Sequence, residues 1–129
     1  MSPLAPEALA QRLVAVADSK KAEDPVLLDM RELVAYTDFL AIVTARNERQ
    51  ARAIVDEVRV VVKRETGQLP GGVDGGGDAG WTILDYLDVV LHVFTPEARD
   101  RYALEELWRD APRLELALDE PEAPSAATG

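Results

Sequence analysis

The chain has 129 residues, a formal net charge of -10 and no cysteine, and 47% of its residues are hydrophobic. This composition suits one domain with a sizeable core. The acidic balance disfavours nonspecific binding to nucleic acid or anionic membranes and favours a basic protein partner. The absence of cysteine excludes disulfides, thiolate catalysis and cysteine-based zinc sites. With no signal-peptide pattern and no long apolar run, we expect a soluble, cytoplasmic protein.

The first half of the chain predicts a helix, two strands and a second helix. Apolar residues at helical spacing predict a helix over residues 6–21. Nearly continuous apolar runs predict buried strands over residues 26–30 and Phe39–Thr44. The long helix that follows is predicted to begin at the N-cap Asn47 and to end at Gly67, in a left-handed C-terminal cap.

The second half predicts a glycine-rich loop, a β-hairpin and a helix. Residues 69–80 hold six glycines and predict a mobile loop. The hairpin is expected over Trp81–Asp85 and residues 88–94, and the next helix opens with Thr95 as its N-cap and Pro96 in its first position. Residues 113–129 carry too little apolar surface to offset the entropy of ordering. We therefore expect one domain over residues 1–112 and a disordered acidic tail over residues 113–129.

This order of elements predicts an α/β (α+β) fold, with a small mixed sheet and helices packed on it. Within it, Asp85 and Asp88 are candidates for a metal-dependent active site, because paired carboxylates bind Mg²⁺ and they flank one turn. We favour the alternative, that both stabilise the turn by bonding the backbone. His92 is the only histidine, and we expect it to pack on its strand with one hydrogen bond.

Two aromatic residues, Trp81 and Tyr86, lie at the ends of the first hairpin strand. Both residue types are frequent at the centres of protein interfaces, and Asp85 and Asp88 would give them an acidic rim. Strict alternation would place the two rings on opposite faces of the sheet, although a strand end or a bulge can change this. The residues alone leave open whether Trp81 anchors a partner or covers an edge of the core.

Four segments, taken in order, resemble the ribosomal silencing factor (RsfS, Iojap-like) family. They read LLDMRE, TDFLAIVTARNERQARAI, DGGGDAGWTILDYLDVVLHVF and RYALEELWRDAP. The resemblance covers about residues 9–112. It implies a nucleotidyltransferase-like core without catalytic machinery, and hence a protein that is no enzyme and needs no cofactor or metal. It also implies a translation repressor that binds the large ribosomal subunit through ribosomal protein L-fourteen and sterically blocks joining of the small subunit.

The same resemblance implies a homodimer in the free state, while the acidic charge argues against direct binding to nucleic acid or to a membrane. It places the partner surface at Trp81 and Tyr86, with Asp85, Leu87 and Asp88 in the adjoining turn. Leu87 stands where many members have glycine, and leucine tolerates a positive φ poorly, so the geometry of the turn is in question. The alternative function is a metal-dependent nucleotidyltransferase-like enzyme that uses Asp85 and Asp88, although no nucleotide-binding signature accompanies them. A third is a scaffold for another basic protein.

Overall fold

A five-stranded mixed sheet lies at the centre of the molecule. The computed structural model describes residues 3–75 and 80–118, without the side chains of residues 74 and 75. The elements in chain order are α1 (Pro6–Ser19), β1 (Glu23–Asp29), β2 (Phe39–Thr44), α2 (Glu48–Thr66), β3 (Gly72–Gly75), β4 (Trp81–Asp85), β5 (Val89–Phe94), α3 (Pro96–Tyr102) and α4 (Leu104–Leu107). The strand order is β1-β2-β5-β4-β3. The α+β fold class with a mixed sheet is confirmed.

The two central strands explain the continuous apolar runs of the sequence. β2 and β5 pair in parallel, while the β1–β2, β4–β5 and β3–β4 pairs are antiparallel. Every residue of β2 and of β5 is buried. Strands that are covered on both faces read as unbroken hydrophobic segments, and this confirms the predicted strand Phe39–Thr44 and the second hairpin strand. The first hairpin strand, Trp81–Asp85, is confirmed as well, although it is only partly buried.

The two faces of the sheet are covered by different helices. On the first face lie α1 and α2, which bury a large aliphatic cluster together with Leu84, Val89 and Leu91 of the hairpin. On the second face a smaller cluster includes Phe94, with Ala98 of α3 buried against it. Because the second cluster is smaller, β4 keeps part of its second face in contact with solvent.

The ends of α2 follow from local chemistry. The Asn47 side chain accepts a hydrogen bond from the backbone N–H of Gln50 at 2.8 Å, and Gly67 ends the helix with φ 78°. Gln50 Oε1 in turn accepts from the backbone N–H of Arg46 at 2.6 Å. These contacts confirm the predicted caps. At α3, Pro96 does occupy the first turn, but the Thr95 side chain makes no cap hydrogen bond within the described residues.

Two predicted boundaries need correction. The first strand is Glu23–Asp29 rather than residues 26–30. The glycine-rich segment contributes an edge strand, Gly72–Gly75, that pairs with β4, so the predicted loop over residues 69–80 was partly wrong. Residues 76–79 lie outside the described residues. Glycine has a low strand propensity. The edge strand forms nevertheless, because pairing with β4 supplies its backbone hydrogen bonds.

The domain also continues beyond Pro112. The backbone N–H of Leu114 donates to the carbonyl of Leu27 at 2.8 Å, which attaches this segment to β1. Leu114, Leu116 and Leu118 are half-buried against the first core cluster. The prediction of disorder was therefore wrong for residues 113–118, because these leucines find apolar surface to cover. The rest of the predicted tail, residues 119–129, lies outside the described residues.

Candidate functional site

The turn between β4 and β5 is a tight one, centred on Leu87. The N–H of Asp88 donates to the carbonyl of Tyr86 at 2.9 Å, and the N–H of Tyr86 donates to the carbonyl of Val89 at 2.9 Å. Leu87 has φ 72°. A hydrogen bond across three residues at positive φ is a γ-turn of the rare and strained kind. Leu87 therefore adopts a left-handed conformation that residues with a Cβ tolerate poorly.

The two turn carboxylates have different roles. Asp85 accepts a hydrogen bond from the backbone N–H of Leu87 at 2.8 Å, as expected of an aspartate that stabilises a turn. The exposed Asp88 anchors the turn through its carbonyl, which accepts from the N–H groups of Asp38 and Phe39. In the part of the chain that the structure describes, no group of three or more His, Cys, Asp or Glu side chains could hold a metal ion.

Tyr86 lies under the turn, in the core of the first face. Its side chain is only 6% exposed and belongs to the cluster formed with α1 and α2. The hydroxyl has no hydrogen-bond partner among the described residues. Burial raises the pKa of Tyr86 to about 12, and the positive charge of Arg59 opposes this rise. The ring therefore supports the turn from below and does not face solvent.

Trp81 lies on the opposite face of the sheet, so the two aromatic residues do not form one cluster. Strict alternation along β4 holds: Trp81 packs half-buried against the second cluster, whereas Tyr86 packs in the first. Trp81 and Asp85 are four residues apart, about 13 Å along an extended strand. The predicted acidic rim is therefore at the far end of the strand from the indole.

Three rings surround Trp81. Its ring lies 5.2 Å from Phe94 in a stacked arrangement, 4.3 Å from Tyr102 and 5.7 Å from His92, measured between centroids. The indole Nε1–H donates to Nδ1 of His92 at 2.9 Å. His92 is 7% exposed, and burial lowers its pKa to about 4. The imidazole is therefore neutral at pH 7 and accepts one hydrogen bond, as the sequence predicted.

A partly exposed apolar surface lies on the second face. We call it the open strip and define it as Trp81, Ile83 and Tyr102. Trp81 and Ile83 are half-exposed neighbours on one face of β4, and Tyr102 of α3 is 38% exposed. The exposed Leu87 lies beyond the end of the open strip.

Two residues of the open strip were not singled out from the sequence. Ile83 follows Trp81 by two positions, so the alternation of a strand could have identified it. Tyr102 comes from a separate helix, and only the packing of α3 against β5 brings its ring to Trp81. No pattern in the sequence signals that contact.

None of the helices that the structure describes is long and apolar enough to span a membrane.

Comparison with known proteins identifies the family. The sequence profile described as "Ribosomal silencing factor during starvation" matches residues 3–128. The ribosomal silencing factor RsfS of Halalkalibacterium halodurans is 38% identical over 108 residues, which cover 84% of this chain and 92% of that protein. RsfS of Bacillus subtilis is 36% identical over 102 residues, covering 79% and 86%. A crystal structure of a Chromobacterium violaceum protein is similar with a TM-score of 0.78 and 25% identity, covering 92% of this chain and 98% of that one. The chain belongs to the ribosomal silencing factor family.

Proposed function

We propose that this protein represses translation by binding the large ribosomal subunit through ribosomal protein L-fourteen and blocking the joining of the small subunit. Family membership supports ribosome-associated regulation of translation as the general function. The observation that carries the choice of surface is the open strip, an apolar patch with a half-exposed tryptophan beside the buried strand β5. Tryptophan in such a position is typical of the centre of a protein interface.

The binding surface in this proposal runs along the second face of β4 and around its turn. Trp81 and Ile83 form the apolar centre, while Asp85, Leu87 and Asp88 form the end of the surface. Leu87 is 68% exposed and can contact a partner directly. Tyr86 contributes indirectly, because its buried ring supports the turn from the first face.

The charge of the chain suits a basic ribosomal protein better than ribosomal RNA. The net charge of -10 repels phosphate groups and attracts a positively charged partner. Complementary charges mainly accelerate encounter, so association should slow as salt is added. We accordingly propose contact with protein rather than direct nucleic-acid binding, and a location in the cytoplasm, where ribosomes assemble.

A steric block requires occupancy and no chemistry. An interface of standard size buries about 800 Å² on each partner, which is enough to anchor a small domain on the subunit surface. No catalytic residue, cofactor or metal enters this mechanism. The free protein is proposed to be a homodimer, and sedimentation velocity across a concentration series would test that state separately.

The proposal is tested by cosedimentation with purified large and small subunits. We expect the wild type to sediment with the large subunit and to reduce the yield of whole ribosomes, and Trp81→Ala to do neither. Val60→Ala is the matched control, because Val60 is an exposed apolar residue of α2, the helix that covers the first face. Absence of wild-type binding to the large subunit would overturn the proposal. Mg²⁺-dependent nucleotide turnover abolished by Asp88→Ala would support the enzyme instead.

A further inference from the structure

The indole of Trp81 is held in a defined orientation before any partner binds. One side chain stacks on it, since the planes of Trp81 and Phe94 differ by 27°. A second, Tyr102, contacts it with a tilt of 42°. The third, His92, accepts the indole N–H at 2.9 Å. A half-exposed aromatic side chain with three such contacts has lost most of its rotational freedom in the folded state.

Of these contacts, only the bond to His92 has a direction. The register of the β4–β5 pair sets Trp81 opposite Phe94 and Ile83 opposite His92. His92 therefore lies diagonally from Trp81 on the same face, within reach of a large side chain. Stacking alone would also permit a flipped indole, whose N–H points away from the strand. The hydrogen bond selects one of the two, and so selects the edge of the indole that faces solvent.

The acceptor is available because His92 is neutral. His92 is buried, and this desolvation disfavours the imidazolium. With Nδ1 as the acceptor, the proton of the neutral ring is on Nε2. The alternating contacts of β5 leave Val90 and Phe94 as the neighbours of His92 on this face, and neither can accept the indole N–H.

We propose that His92 is a positioning residue of the partner surface, whose Nδ1 holds the indole of Trp81 in the orientation that the partner meets. This inference rests on the proposed function, since it takes Trp81 as an interface anchor. A side chain that is already held loses little freedom on binding. Releasing one such side chain is expected to weaken binding by about three- to tenfold.

The acceptor is separated from the bulk of the ring by two substitutions of similar shape. In His92→Asn, Oδ1 is attached to Cγ as Nδ1 is in histidine, so an acceptor remains near the indole. In His92→Leu, the branching is the same but no acceptor remains. Each His92 substitution is introduced separately into the Trp108→Phe variant, in which Trp81 is the single tryptophan. Its indole N–H should stay protected from exchange in His92→Asn and lose that protection in His92→Leu.

Affinity for purified large subunits gives the second measurement. We expect His92→Leu to bind about three- to tenfold more weakly than wild type, and His92→Asn to bind within about twofold of it. In Trp81→Phe, which lacks the indole N–H, the two His92 variants should bind equally. This cycle removes any general effect of either variant on stability, because that effect is common to both backgrounds.

The outcomes separate the two proposals. If Trp81→Ala loses binding but His92→Leu binds like His92→Asn, the positioning role is overturned and the partner surface remains. The positioning role is likewise overturned if the indole N–H stays protected from exchange in His92→Leu. If Trp81→Ala binds as wild type does, the proposed surface is wrong, and the inference about binding fails with it.

Discussion

Replacing Leu87 tests whether the β4–β5 turn stores strain. Leu87 has φ 72°, a conformation that costs a residue with a Cβ about 1 to 2 kcal/mol. Its side chain is 68% exposed, so truncation removes little buried area. Comparing Leu87→Ala with Leu87→Gly cancels that loss, since both remove the same side chain beyond Cβ. The difference between them isolates the cost of one Cβ at positive φ.

The expected order of stability is the reverse of the usual one, in which alanine is more stabilising than glycine. Glycine relieves the strain at residue 87, while its greater freedom in the unfolded chain costs about 0.4 to 1 kcal/mol. We therefore expect Leu87→Gly to be more stable than Leu87→Ala by about 0.5 to 1 kcal/mol. Ala53 is the control, because it is exposed in the interior of α2. Ala53→Gly should be destabilising by about 1 kcal/mol.

Urea unfolding, followed by far-ultraviolet circular dichroism at pH 7, measures these differences from the midpoints at a shared slope. If Leu87→Ala proves as stable as Leu87→Gly while Ala53→Gly behaves as expected, the turn is not strained at Leu87.

Three further predictions concern neighbouring residues. Gly80 has φ 63°, and a Cβ there would lie 2.4 Å from Thr95 Oγ1, so Gly80→Ala should lower the free energy of unfolding by about 2 kcal/mol; Gly72→Ala, with nothing within 4 Å of its Cβ, should change it little. The pKa of His92 falls from 6.5 to about 4 on folding, so the unfolded state binds the proton first. Stability should therefore fall as pH drops from 6.5 towards 4, by about 2 kcal/mol at about pH 5, in urea titrations, and His92→Asn should remove this loss. Tyr86→Phe removes a hydroxyl without a partner in the described chain and should leave the unfolding midpoint and subunit binding unchanged or slightly improved, whereas Tyr86→Ala should cost about 3 kcal/mol or more.

The features that could be predicted from the sequence are those that local chemistry determines. The bounds of β2 follow from an unbroken apolar run between polar flanks, and the ends of α2 follow from Asn47 and Gly67. The placement of Trp81 and Tyr86 on opposite faces follows from the two-residue period of a strand. In each case, the residues concerned contain the information, and no distant part of the chain is needed.

The features that could not be predicted depend on contacts between distant segments. The edge strand Gly72–Gly75 exists because β4 is beside it, although its composition favours a loop. Leu114, Leu116 and Leu118 pack on the core, but the acidic and proline-rich residues around them dominate the average composition. The aromatic surroundings of Trp81 combine β4, β5 and α3, which meet only in the folded chain.

The alternation along β4 explains how one short strand can serve both the core and a partner. Leu84 and Tyr86 point to the first face and are buried there, while Trp81 and Ile83 point to the second face and remain half-exposed. A substitution on the first face should therefore reduce stability and affect binding only through folding. A substitution on the second face should reduce binding at nearly constant stability.

Trp81 is the exception to this division, because its stacking on Phe94 and its bond to His92 also make it part of the second core cluster. Phe at residue 81 keeps the stacking and loses the bond, so it separates the two contributions better than alanine does.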